Sequence, residues 1–183
     1  MAILANIPKI TWLDHRDRAI VQLMLDTGLR AGEVCGLMVA DVNMERCELC
    51  VRSTKNDKYR YVPFTEKSKR EIAMYLMRRP VCAQQVAPYL FVSAKNAFAG
   101  EIRGVLTVSG LEQLWVALCK QAKVAKITPH MVRHLYGLKA LNDGVRLETV
   151  SKLMGHADPG FTLRIYAPLL NETARRESAQ HWK

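Results

Sequence analysis

The sequence predicts a mainly α fold of the α+β class, a helical domain carrying a small antiparallel three-stranded sheet, and three observations predict it. Several segments repeat apolar residues at the helical period; two short runs rich in β-branched and aromatic residues flank a polar turn; and no internal repeat or flexible linker interrupts the 183 residues. That length buries one core, so a single domain over residues 1–183 is expected.

Residues 13–27 open on the charges Asp14, His15, Arg16, Asp17 and Arg18, then turn apolar almost all round, as a helix at the centre of a domain does, and Gly28 stops it. A second helix is expected from Arg30 to about Val39. Residues 47–53 (CELCVRS) and 59–64 (YRYVPF) around the turn 54–58 (TKNDK) predict a β-hairpin. Thr65 to Arg79 has helical periodicity with a basic face and ends at Pro80, and the YLFV run from Tyr89 is expected to add the third strand to the hairpin sheet. Ala94 to Gly104 reads as an exposed loop. Val108 to Val124 reads as an amphipathic helix, and Thr128 followed by Pro129 supplies an N-cap and a first-turn proline for the helix carrying His130 and Arg133. Three more helices are expected: Leu147–Met154, a short one over Pro159–Tyr166, and a polar one over Leu170–His181.

A formal charge of +10 creates a positive field that attracts polyanions, nucleic acid first among them. Apolar runs such as Ala19–Leu25 are too short to span a bilayer and the first residues lack a signal peptide, so a soluble cytoplasmic protein with no membrane partner is expected. Five cysteines, Cys35, Cys47, Cys50, Cys82 and Cys119, lie without a framework and fit reduced thiols. Cys47 and Cys50 form a CxxC with no second ligand pair at zinc spacing. No phosphate-binding glycine loop and no acidic metal cluster is visible, so neither a cofactor nor a metal is expected.

Four segments carry chemistry. Residues 27–37 (TGLRAGEVCGL) set Arg30 and Glu33 three apart on one helix face. Residues 54–63 (TKNDKYRYVP) put Lys55 at the turn of the hairpin, with Lys58 as a competitor for its place. Residues 128–141 (TPHMVRHLYGLKAL) put His130 and Arg133 on one face near a helix N-terminus, where an anion is favoured. His130 and His134 also have metalloprotease spacing, but Met131 stands where that motif needs glutamate. Residues 153–167 (LMGHADPGFTLRIYA) place His156 and Tyr166 with nine residues between them.

Jointly these segments resemble the catalytic domain of the tyrosine recombinase, or phage integrase, family, across nearly the whole chain. The resemblance implies site-specific DNA cleavage and rejoining, in DNA integration or recombination, through a covalent 3′-phosphotyrosine. Tyr166 would be the nucleophile, Arg30 and Arg133 the phosphate clamps, Glu33 the acidic partner of Arg30, His130 the base, Lys55 the donor to the leaving 5′ oxygen, and His156 a hydrogen bond to the phosphate. These types suit the reaction, since guanidiniums never deprotonate at working pH and bind phosphate oxygens through charge-assisted, often bidentate hydrogen bonds. A tyrosine hydroxyl, with a pKa of about 10, needs help to lose its proton. The resemblance also implies double-stranded DNA as partner, a monomer in solution and a tetramer on paired DNA sites. It sets the family's N-terminal core-binding domain outside these 183 residues. Two other readings stay open: a DNA-binding regulator with a spent active site, and relaxation of a single duplex as by a type IB topoisomerase.

Overall fold

The structure, a computed structural model, describes residues 2–52, 59–80, 88–96, 101–156, 160 and 164–166, the side chains of 95 and 96 excepted. A short helix α1 (Ala2–Asn6) leads to α2 (Trp12–Thr27). A capping box starts α2: the Thr11 hydroxyl accepts from the Asp14 N–H at 3.2 Å while the Asp14 carboxylate accepts from the Thr11 N–H at 2.7 Å. Ala19, Ile20, Val21, Leu23 and Met24 are wholly inaccessible, as the all-round apolar pattern predicts for a central helix. Gly28 closes α2 with φ +60°, a left-handed cap whose N–H donates to the Met24 carbonyl at 3.0 Å.

Helix α3 (Ala31–Gly36) is shorter than the stretch to Val39 that periodicity predicts. Residues 37–39 are instead drawn into extended pairing with 88–90: the Leu90 N–H donates to Leu37 O at 2.7 Å and the Val39 N–H to Pro88 O at 2.8 Å. This pairing corrects the expected place of YLFV. It does not join the hairpin sheet, because burial of Leu90, Phe91 and Val92 in the main core holds that segment beside residues 37–39. The third strand of the hairpin sheet is β1 (Val42–Asn43), reached through a 3-10 turn, Val39–Asp41. Strand β1 pairs with β2 (Glu48–Arg52), which pairs with β3 (Tyr59–Pro63), both antiparallel, with Val51 opposite Arg60.

Helix α4 (Glu66–Arg78) is capped by Thr65, whose hydroxyl and N–H, together with the Ser68 hydroxyl at 2.6 Å, all donate to the Asp26 carboxylate at the end of α2. The segment read as an exposed loop contains a second hairpin, β4 (Val92–Asn96) antiparallel to β5 (Glu101–Val105), with register irregularities after Ser93. Its few branched residues hid the strands from a composition reading. Helices α5 (Val108–Gln121), α6 (Pro129–Asn142) and α7 (Leu147–Met154) complete the described elements, and residues 164–166 are helical. Thr128 caps α6 as expected, accepting from the Met131 N–H at 3.2 Å with Pro129 in the first turn. The expected helix Leu170–His181 lies outside the described residues.

α2 packs along α4 and α6, and the main core gathers Trp115, Tyr75 and Phe91 around Ile20 and Leu23. A smaller cluster joins Val150, Met154 and Tyr166. Among the described residues no helix is long and apolar enough to cross a membrane. Because Leu23 is wholly buried in this close-packed centre, Leu23→Ala is expected to cost about 2–5 kcal/mol, measured by urea unfolding, and a smaller change would place the core elsewhere.

Candidate active site

Four of the expected residues meet on one cleft. A cavity of about 1070 Å³ between α3, α5 and α6 is lined by Arg30, His130, Arg133 and His156, and also by His134. Each arrives by a local rule. Arg30 is the residue just ahead of α3, with extended backbone, and its N–H donates to Glu33 Oε2 at 2.8 Å, a first-turn acid holding the helix start. His130 and Arg133 project from the first turns of α6. His156 follows Gly155, the left-handed cap (φ +66°) that ends α7.

The two arginines converge on the same turn. Arg133, almost wholly buried, donates through Nη1 to Gly28 O at 2.7 Å and through Nη2 to Met154 O at 2.6 Å. Arg30, about half exposed, donates to Met154 O at 3.3 Å and to Gly155 O at 3.1 Å. Burial and the neighbouring Arg30 charge lower Arg133 to about 10, which leaves it protonated at neutral pH. Burial and the positive charges of Arg133 and Arg30 push His156 down to about 4, so it stands neutral and able to donate or accept according to its tautomer.

Glu33 is sited as expected, but Arg30 is its weaker partner. The Arg30 Nη1 contact to Glu33 Oε1 measures 3.2 Å, whereas Arg60 on β3 grips both oxygens, Nη1 to Oε1 at 2.9 Å and Nη2 to Oε2 at 2.8 Å. Burial alone would raise the Glu33 carboxyl; the Arg60 fork and charge, with Arg30, hold it below its ordinary value. Sequence reasoning missed Arg60. The available signal was strand alternation, which puts Arg60 on the face shared with buried Val62, where a charge needs a partner.

Tyr166 lies one layer behind the cleft wall. Its ring is buried, its hydroxyl sits 3.9 Å from Met154 Sδ and 3.4 Å from His134 Nδ1, and it rests against Gly137, where any Cβ would collide with it. Burial raises its hydroxyl pKa above the usual value, opposed by Arg133. His134, the second missed residue, stands between His130, the expected base, and Tyr166, the expected nucleophile: the His130 ring meets it edge-on with centroids 4.3 Å apart. Its spacing to His130 was legible, but only as a rival metal motif. Lys55 and its competitor Lys58 lie outside the described residues. Among the described residues no group of three or more His, Cys, Asp or Glu could hold a metal ion.

A sequence model of the phage integrase family matches residues 1–172. The chain belongs to the phage integrase family. This integrase-family chain is 33% identical over 166 residues to tyrosine recombinase XerA of Pyrococcus furiosus, covering 88% of itself and 54% of that protein. It is 29% identical over 171 residues to tyrosine recombinase XerC of Bacillus subtilis, covering 91% of itself and 53% of XerC. A crystal structure of XerA recombinase matches with a TM-score of 0.79 at 30% identity, covering 100% of this chain and 62% of that one. XerH site-specific recombinase bound to its difH substrate shares the fold, with a TM-score of 0.71 at 23% identity, over 88% of this chain and 46% of XerH. The chain spans about half the length of the curated relatives it matches.

The turn that ends α7 in this integrase-family chain holds a close approach at Gly155. A Cβ there would stand 2.8 Å from Arg60 Nη1, on a backbone already left-handed. Gly155→Ala is therefore expected to destabilise the chain by about 1–3 kcal/mol in urea unfolding, and a neutral result would mean that the α7 cap is looser than described.

Proposed function

We propose that these residues act as the catalytic domain of a site-specific recombinase, cutting and rejoining double-stranded DNA through a covalent 3′-phosphotyrosine on Tyr166. The observation that carries this reading is the convergence of Arg30, Arg133 and His156 on one cleft with Tyr166 directly behind its wall. The family relatives named tyrosine recombinase support it.

The chemistry follows from the groups. Tyr166 Oη attacks phosphorus, the bond to the 5′ oxygen breaks, and the departing 5′ oxygen takes a proton to become a hydroxyl, for which Lys55 is the proposed donor. The tyrosine proton passes to imidazole: His130 is the proposed base, and His134, nearer to the hydroxyl, offers a route to it. Extra negative charge on the phosphate oxygens is met by Arg30 and Arg133. A guanidinium has five N–H donors, and the Gly28 and Met154 carbonyls engage two of them on Arg133. Neutral His156 adds a hydrogen bond. The phosphotyrosine conserves the energy of the broken ester, so a second 5′ hydroxyl displaces Tyr166 and restores DNA without a nucleotide. Because the hydroxyl is buried against Gly137 and Met154, Tyr166 must come out from behind the cleft wall before it can reach phosphorus.

The proposed partners are a DNA duplex, drawn by the net charge of +10, and three further copies on paired sites, with work in the cytoplasm on DNA. A duplex nicked beside the cleavage site, its sequence selected from a random pool by covalent capture, should trap protein on DNA. Tyr166→Phe should abolish trapping while leaving DNA affinity within roughly a factor of three, since phosphate contacts dominate such interfaces. Trapping that survives in Tyr166→Phe would disprove the nucleophile.

A further inference from the structure

We propose that Arg60 is a positioning residue for this cleavage reaction, a strut that locks Glu33, and through it Arg30, to the end of α7. The role rests on the strand-transfer reading and goes beyond it, because Arg60 does not line the cleft.

Three hydrogen bonds define the strut. Two run to the Glu33 carboxylate, and the third runs from Arg60 Nε to Leu153 O at 2.8 Å. The Glu33 end is shared with Arg30, whose main-chain N–H and Nη1 both donate to the same carboxylate. The Leu153 end is shared with both phosphate clamps, because the next two carbonyls, Met154 and Gly155, receive Arg30, and Met154 also receives Arg133. Arg60 thus ties the start of α3 to the turn of α7 that aims both catalytic guanidiniums.

Its own guanidinium is poorly placed to act on substrate. The Arg60 side chain is 17% exposed against 47% for Arg30, all three of its described hydrogen bonds run inward, and Gly155 lies packed against it. The planar fork matters, since an ammonium cannot span two carboxylate oxygens and a carbonyl at once. Arg60 also stands opposite Val51 in the β2–β3 pair, so the same strut anchors that pair to the phosphate site.

The test uses the full chain and the selected nicked duplex, reading single-turnover adduct formation at saturating DNA alongside Kd and thermal melting. Arg60→Met should slow adduct formation about tenfold to a hundredfold with Kd changed less than about threefold, as expected when clamps are misaimed and binding is kept. Arg60→Lys, which preserves charge and length and guards against misfolding of the Met variant, should melt near the unsubstituted chain and still cleave slowly. Combining Arg60→Met with Glu33→Gln should be no slower than Glu33→Gln alone, because both break one linkage.

A pH profile separates aiming from bulk stability. Glu33 faces Arg30 at the start of α3, Arg60 from β3 and Arg133 from α6. Without Arg60 its half-buried carboxyl should take up a proton at higher pH, moving the acid limb of the cleavage profile upward. Equal rates in both Arg60 variants and the unsubstituted chain, multiplicative losses in the double variant, or an unmoved acid limb would each overturn the role. An unsubstituted chain that forms no adduct on a site it binds would overturn the strand-transfer reading itself, and this role with it.

Discussion

One turn of backbone at the end of α7 gathers three guanidiniums. A helix C-terminus leaves its last carbonyls without intrahelical partners and carries partial negative charge, and here Leu153, Met154 and Gly155 offer those oxygens to Arg60, Arg133 and Arg30. Left-handed Gly155 makes the arrangement possible by ending the helix abruptly and letting the Arg60 guanidinium lie against its Cα. His156 emerges one residue later, so the feature that collects the positive charge also delivers the second histidine to the cleft.

Holding like charges this close has a cost, and the surroundings offset only part of it. Glu33 is the one carboxylate that the described hydrogen bonds bring into the group, and it is shared between Arg30 and Arg60. Arg133 is pulled below its ordinary pKa and His156 is held neutral, the response expected of partly buried titratable groups in a site with surplus positive charge. Under the proposed function, an anionic phosphate would supply the complementary charge. Its arrival would relieve the repulsion that folding imposes, and preorganised donors of this kind need little rearrangement as charge develops.

Much of this was readable along the chain. The cap Thr128, Pro129, the stop at Gly28 and the extent of α2, α4 and α7 follow from local chemistry, because an N-cap hydroxyl or a left-handed glycine acts within a few residues. Arg30, Glu33, His130, Arg133, His156 and Tyr166 were singled out as candidates by motifs that resemble the family's. The third strand was misread and the β4–β5 hairpin overlooked, since pairing between residues 37–39 and 88–90 depends on burial that involves distant segments. Arg60 and His134 were passed over for a related reason: each matters through a partner far along the chain, Glu33 for one and Tyr166 for the other.

The sequence by itself determined which chemical groups exist, their local helical faces, the basic charge and membership of a family. Only the tertiary structure decided that Glu33 belongs chiefly to Arg60, that Arg30 and Arg133 hang from the same α7 carbonyl, and that the Tyr166 hydroxyl rests beside His134 behind the cleft wall. The division has a physical cause. Caps and periodicity are settled by neighbours within a turn or two, whereas a guanidinium with several donors can satisfy itself in many ways, and only packing of α3, β3, α6 and α7 against one another selects among them.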